Sequence, residues 1–209
     1  MSLAQDRILS LFRETEALLE GHFELTSGLH SPHYFQCAKV LQYPRYAELL
    51  CSEIVDHFKD ATIDAVVAPA LGGIIVGQET GRLLARVRSR SPASKSGRDR
   101  IHTMFTERKN NAMQLLRGFG LAEGDRVLVC EDVITTGGSV NEVIDIVRKA
   151  KAEVVGVGCV VDRSGEEVRF DVPQQFAVLH MDVVTYPHAG CPLCKQGIPV
   201  MKPGSRSSL

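Results

Sequence analysis

The sequence predicts an α/β protein with a central, mostly parallel sheet covered by helices on both faces, and three features predict it. Short apolar runs at Val66-Val67-Ala68, Asp125 to Cys130 and Val154 to Val161 read as buried strands. The first two are each followed by a Gly-containing turn and then a helical pattern, over Ile74 to Val87 and Asn141 to Lys149. Strand, turn and helix in alternation bring successive strands back parallel, with the helices packed on the sheet. The chain has 209 residues, enough for one sizeable core with appendages.

The remaining elements are read in order. Leu3, Ile8, Leu9, Leu11, Phe12, Leu18 and Leu19 recur at roughly helical spacing up to Gly21, which predicts an N-terminal amphipathic helix. Phe23 to Val40, rich in Ser, Gly, Pro and aromatics, reads as a structured lobe, and a second helix starts after Pro44 and runs to about Lys59. Ser89 to Arg100 reads as a basic exposed loop, Ile101 to Phe105 as a further strand, and Glu107 to Gly124 as a mobile flap. After the apolar run Val178 to Val184, the tail from Thr185 carries four prolines and three glycines and reads as irregular. The expected division is one domain over 1–184, with a hood drawn mainly from 1–40 and 163–184, and a tail over 185–209.

Composition narrows the function. An apolar fraction of 44% with 23% charged residues is ordinary for a soluble globular chain and argues against disorder. A formal net charge of −1 supplies no basic field for nucleic acid, so a phosphorylated small molecule must be held by local chemistry. No stretch approaches the about 18 consecutive apolar residues of a membrane span, and residues 1–20 lack a signal-peptide core, so a cytoplasmic protein is expected. Cys37, Cys51, Cys130 and Cys159 stand singly and read as small core hydrophobes.

The most informative stretch is Val127-Leu128-Val129-Cys130-Glu131-Asp132-Val133-Ile134-Thr135-Thr136-Gly137-Gly138-Ser139. A buried strand here delivers two adjacent carboxylates to its C-terminal end, where open α/β sheets bind ligands. The hydroxyl- and glycine-rich turn then opens a helix, so backbone N–H groups and the helix N-terminus form a phosphate cradle. Carboxylates in contact with a phosphate would repel it, but they suit ribose hydroxyls, which donate to acceptor-only groups. The stretch resembles the phosphoribosyl pyrophosphate signature of type I phosphoribosyltransferases. That resemblance implies a type I phosphoribosyltransferase-like fold with a small N- and C-terminal hood. Glu131 and Asp132 would hold the ribose hydroxyls, and Thr135, Thr136, Gly137, Gly138 and Ser139 the 5-phosphate. Asp132 would also stabilise positive charge at the anomeric carbon while pyrophosphate leaves.

A second segment, Phe23-Glu24-Leu25-Thr26-Ser27-Gly28-Leu29-His30-Ser31-Pro32-His33-Tyr34-Phe35, resembles the N-terminal signature of orotate phosphoribosyltransferases. It implies an orotate site with Tyr34 and Phe35 as an apolar wall and Ser27 and Gly28 bringing backbone donors to the carboxylate, with Thr135 also at the base. Asp162-Arg163 after a buried strand matches the same family, and the Arg163 fork suits a planar carboxylate. Ala68-Pro69-Ala70-Leu71-Gly72-Gly73 stands where the family has its pyrophosphate loop, placing Leu71 and Gly72 against the diphosphate. Arg108 and Lys109 match the first pair of the catalytic loop, with Arg117-Gly118 as either an auxiliary or an ordinary turn. The chain departs from the family at Thr26 and Gly72, where Lys is usual, and at Asn110 to Met113, which lack the later Lys and His. The implied activity is transfer of phosphoribosyl to orotate in pyrimidine (UMP) biosynthesis. The implied assembly is a homodimer. Transfer to a purine or another base, and sensing of phosphoribosyl pyrophosphate without turnover, are the other readings.

The diphosphate implies Mg²⁺, held through the substrate and water with no dedicated protein cage. His188-Ala189-Gly190-Cys191-Pro192-Leu193-Cys194 places a Cys-x-x-Cys after a His, a spacing that binds zinc or forms a redox pair. Cys191, Cys194 and His188 are three ligands, with His180 or a neighbouring chain as a candidate fourth. His22, His30, His33, His57 and His102 are expected in structural or surface roles.

Overall fold

A computed structural model describes residues 5–25, 27–89, 100–165 and 167–203. It begins with helix α1 (Gln5–Glu14), which buries Ile8, Leu11 and Phe12. The helix is shorter than its apolar spacing suggests. Glu16 takes a left-handed φ of 53° and turns the chain, so Leu18, Leu19 and Gly21 lie in strand β1 (Leu18–Glu24) rather than in the helix. Strand β1 pairs antiparallel with β2 (His30–Phe35), and short helix α2 (Ala38–Leu41) leads to α3 (Pro44–Phe58), where Pro44 sits in the first turn.

The main sheet follows: β3 (Ala65–Pro69), helix α4 (Gly72–Ser89), β4 (His102–Lys109), β5 (Ala112–Leu115), β6 (Arg126–Ile134), helix α5 (Gly138–Lys149), β7 (Glu153–Asp162) and β8 (Gln175–His180). The six strands lie in the order β5-β4-β3-β6-β7-β8, parallel throughout except at the β4–β5 edge. The expected parallel sheet between helical layers is therefore present. Alternation along the strands divides the core: Val66, Ala68, Leu128 and Cys130 face Leu50, Ile54 and Val76 of α3 and α4. Ala65, Val67, Val127 and Val129 face Val140, Val143, Ile144 and Val147 of α5.

Residues 107–115, expected within a mobile flap, form the β4–β5 hairpin, whose two-residue turn has Asn110 and Asn111 at φ 53° and 61°. Both central residues left-handed is the type I′ geometry that matches strand twist, and Asn tolerates it well. The tail, expected to be irregular, packs on the first hairpin. Tyr186 and His30 exchange backbone hydrogen bonds at 2.8 Å, and Met201 bonds to the His22 carbonyl and the Glu24 N–H at the same distance. A single 3₁₀ turn (His188–Gly190) and a short helix α6 (Pro192–Lys195) lie between. The basic stretch 90–99 lies outside the described residues.

Helix α3 sits close to β7 because two glycines leave room for it. A Cβ on Gly156 would come 2.5 Å from Phe58 Cε1, and one on Gly158 would come 2.6 Å from Ile54 Cγ2. Phe58 is only 1% exposed, so its ring fills the space above these glycines. Phe58→Ala leaves a cavity that glycines cannot close, and is expected to lower unfolding free energy by about 3–5 kcal/mol in urea titration.

Candidate active site

The ladder between β3 and β6 ends at Val67 and Val129, whereas the ladder between β6 and β7 continues to Ile134 and Asp162. Glu131 and Asp132 therefore lie on a stretch of β6 paired on one side only, at the carboxyl end of the sheet. Glu131 is 7% exposed, and its Oε1 accepts the Asp132 backbone N–H at 2.9 Å. Burial, then the neighbouring Asp132 carboxyl, pushes the Glu131 acid well above the usual carboxylate range.

The turn into α4 closes over these acids. A Cβ on Gly72 would overlap the Asp132 carboxylate, and one on Gly73 would come 3.1 Å from Glu131 Oε1. Backbone approach this close requires glycine at 72, which explains why no longer residue stands there. Leu71, beside it, is 83% exposed.

Beyond the acids, Glu131 and residues 133–140 line a concavity of about 50 Å³. Thr135, Thr136, Gly137, Gly138 and Ser139 are thus brought together as expected. Gly137 holds φ 73°, and its carbonyl accepts the Asn141 N–H at 2.9 Å, starting α5 directly from the turn. No acid occupies the first turn of that helix, and Glu131, the one acid lining the concavity, has its charged form disfavoured by burial. A hollow of about 520 Å³ lies at the other end of β6 and β7, beside Arg126 and Glu153, away from every one of these groups. Chemistry rather than volume locates the site.

Arg163 reaches the same end of the sheet. Its backbone N–H donates to the Ile134 carbonyl at 2.8 Å, and its guanidinium lies 5.2 Å from the Phe35 ring centre. Its Nε is buried without a hydrogen-bond partner, and it forms no ion pair with the described residues. Burial lowers its pKa, with Cys37 and Tyr34 acting against that shift. A half-buried guanidinium with its buried Nε unpaired suits an anionic ligand. Asp162 does not pair with it, because Asp162 Oδ1 accepts from the Ser164 N–H and hydroxyl. Phe35 is 6% exposed and stacks edge-on against Phe12, so it supports Arg163 rather than offering the open wall expected of it. Tyr34 is half-buried, 5.7 Å from the Phe23 ring. Ser27 and Gly28 form the tip of the β1–β2 hairpin, closed by Leu25 and Leu29 at 2.8 Å, and no contact among the described residues joins them to Arg163. Cys37 links the lobe to the acids, its Sγ lying 3.8 Å from the Asp132 carbonyl.

The hairpin cations are engaged elsewhere. Arg108 forms a two-pronged bond to Glu142 on α5 at 2.6 and 3.3 Å, and Glu142 also accepts the Met113 N–H. Arg117 is held by Glu107 at 2.6 and 2.8 Å. Lys109 pairs with Ala112 next to the turn. Glu142 was not among the expected site residues, and nothing in the sequence around it points to Arg108, 34 residues away. Among the described residues no helix is long and apolar enough to cross a membrane.

The profile of the phosphoribosyl transferase domain family matches residues 44–174. A protein named orotate phosphoribosyltransferase from Chlorobium phaeobacteroides (strain DSM 266 / SMG 266 / 2430) is 51% identical over 204 residues, 98% of this chain and 97% of that protein. The chain belongs to the orotate phosphoribosyltransferase family. A second relative of that name, from Caldicellulosiruptor bescii, is 47% identical, covering 97% of this chain and 98% of its own. The enzyme shares its fold with the crystal structure of orotate phosphoribosyltransferase from Aeropyrum pernix (TM-score 0.65, 22% identity, 83% of this chain and 93% of that one).

Two outcomes follow from this geometry. Gly72→Ala pushes the Asp132 carboxylate aside, and a displacement of about 1 Å at a reacting centre is expected to lower kcat/KM about 100-fold while the thermal midpoint changes little. Because the folded-state pKa of Glu131 is raised, the free protein loses stability as pH climbs above the ordinary carboxylate range. Glu131→Gln removes that slope, so thermal midpoints of the two proteins should diverge with rising pH, the variant being the more stable.

Proposed function

We propose that this chain transfers the 5-phosphoribosyl group of phosphoribosyl pyrophosphate to orotate, giving orotidine 5′-monophosphate and pyrophosphate. The observation that carries the reading is Glu131 lining one concavity with the neutral turn 135–139, with Asp132 next to it on the same strand against Gly72. The turn takes the 5-phosphate on backbone N–H groups, and the carboxylates accept hydrogen bonds from the ribose hydroxyls. The transition state gathers positive charge at the anomeric carbon, which the Asp132 carboxylate favours without forming a bond to it. Leu71 and Gly72 let the backbone approach the departing diphosphate. Arg163 takes the orotate carboxylate, with Tyr34 and Thr135 at the flat base and Ser27 and Gly28 at the lobe's tip.

Arg108 and Lys109 are assigned to the diphosphate. The Arg108–Glu142 pair is 46% and 37% exposed at its two side chains, so exchanging Glu142 for a phosphate oxygen costs little. Mg²⁺ fits the donor set. The diphosphate and ribose supply its hard oxygens, Glu131 and Asp132 would reach it only through water or the sugar, and the ion when bound would neutralise charge on the leaving pyrophosphate. The chain is assigned as one phosphoribosyltransferase domain over 1–184 with a tail over 185–209, of which residues 185–203 fold onto its hood, acting as a cytoplasmic homodimer without nucleic-acid or membrane partners. A reading as a sensor that binds without turnover is favoured by one observation: Arg108 and Arg117 are both already paired with carboxylates.

Loss of orotate absorbance on mixing enzyme, Mg²⁺, phosphoribosyl pyrophosphate and a panel of bases tests this. Turnover with orotate alone is expected. Turnover only with a purine, or binding without pyrophosphate release, overturns it. Asp132→Asn is expected to lower kcat about 100-fold with phosphoribosyl pyrophosphate still bound. Arg163→Ala should raise KM for orotate about 10- to 100-fold and leave that for the sugar unchanged.

A further inference from the structure

The hood brings together four side chains that the reaction does not use. His22, from β1, and His30, from β2, meet Cys191 and Cys194 of the tail, and their four ligand atoms lie within 4.8 Å of one another. His22, His30 and Cys191 are 1%, 4% and 1% exposed, and Cys194 is half-buried. We propose that these four residues form a structural zinc site that clamps the C-terminal tail to the β1–β2 hairpin.

The geometry fits that ion. Bonds of about 2.3 Å to sulfur and 2.0–2.1 Å to nitrogen, in a tetrahedron, put nitrogen and sulfur about 3.5 Å apart. The observed separations are 3.6 Å from Cys191 Sγ to His22 Nε2, 3.7 Å from Cys194 Sγ to the same nitrogen, and 3.3 Å from Cys194 Sγ to His30 Nδ1. The two imidazole nitrogens are 2.7 Å apart and would open by under about 1 Å.

The outer partners orient the rings. His22 Nδ1 lies 2.7 Å from the Ile198 carbonyl, which only accepts, so the proton sits on Nδ1 and the Nε2 lone pair faces the cluster. His30 turns its Nε2 to His188 Nδ1 at 3.4 Å, leaving its own Nδ1 for the ion. His188 is thus a supporting residue, not one of the four ligands, and His180 lies at Asp162 instead. A chain of hydrogen bonds through the three histidines would satisfy the rings alone, but it gives no reason for two sulfurs against the same nitrogens.

Local structure prepares the ligands. The register of β1 slips between Glu20 and Phe23, a bulge that buries His22 and Phe23 consecutively where a regular strand would alternate them. The single turn of α6 (Pro192–Lys195) brings Cys194 back beside Cys191. The site is closed by four protein ligands, which marks it as structural.

Zinc content of the full-length chain, expressed in zinc-replete medium and purified under reducing conditions without chelator or metal affinity, tests this. One zinc per chain retained through gel filtration is expected, and Cys194→Ser should lose it. Cobalt(II) exchanged into the wild-type chain should give near-ultraviolet thiolate charge-transfer bands and tetrahedral d–d bands, a readout that holds even if the variant fails to fold. Stripping the metal with a strong chelator should expose the tail to protease while helical circular dichroism persists. A reduced wild-type chain that takes up no zinc, a Cys191–Cys194 disulfide in the purified protein, or a cobalt spectrum without thiolate bands overturns the proposal.

Discussion

Beyond Val129, β6 has a strand neighbour on one side only, and the acidic pair, the glycine step and the phosphate turn all occupy the edge this leaves. Had β3 continued alongside, Glu131 and Asp132 would face another backbone rather than a ligand. The β3 chain instead turns into α4 at Gly72 and Gly73, which approach the two carboxylates too closely for a Cβ on Gly72. In the proposed reading, one offset between parallel strands sets where the sugar and the diphosphate would lie.

The same edge concentrates unfavourable terms. Glu131 is buried with its charge disfavoured, and Arg163 is half-buried with a buried, unpartnered Nε. Both cost the free protein stability, and under the proposed function both would be offset by a ligand supplying hydroxyl donors to one and a carboxylate to the other. The cations of the hairpin follow the opposite pattern. Arg108 and Arg117 rest on Glu142 and Glu107 in exposed pairs that exchange readily. Under the proposed function the desolvated groups would select the substrate, and the exposed arginines would be free to follow its leaving group.

The hood has no core of its own size to hold it. A two-stranded hairpin is marginal alone, and here Tyr186 and Met201 of the tail add backbone bonds on either side of it. The Cys and His cluster lies between those bonds and ties the same pieces through side chains. The tail therefore positions the lobe that carries Tyr34 and the Ser27-Gly28 tip.

Local chemistry was legible in the chain itself. The alternating strand and helix pattern, the acids followed by a hydroxyl- and glycine-rich turn, and the Arg163 position all depend on neighbours within a few residues, so the sequence determined them. The helical spacing misled at Leu18 and Leu19, because the left-handed Glu16 breaks the helix before them and the spacing of apolar side chains does not record that backbone reversal. Phe35 looked like a ligand wall and is core, since only packing against Phe12 decides its exposure. His22 and Cys191 are 169 residues apart and Arg108 and Glu142 are 34 apart, and no local pattern relates such pairs. Those pairings were decided by the tertiary structure, because which distant side chains meet is set by strand register and the path of the tail, not by any one segment's preference.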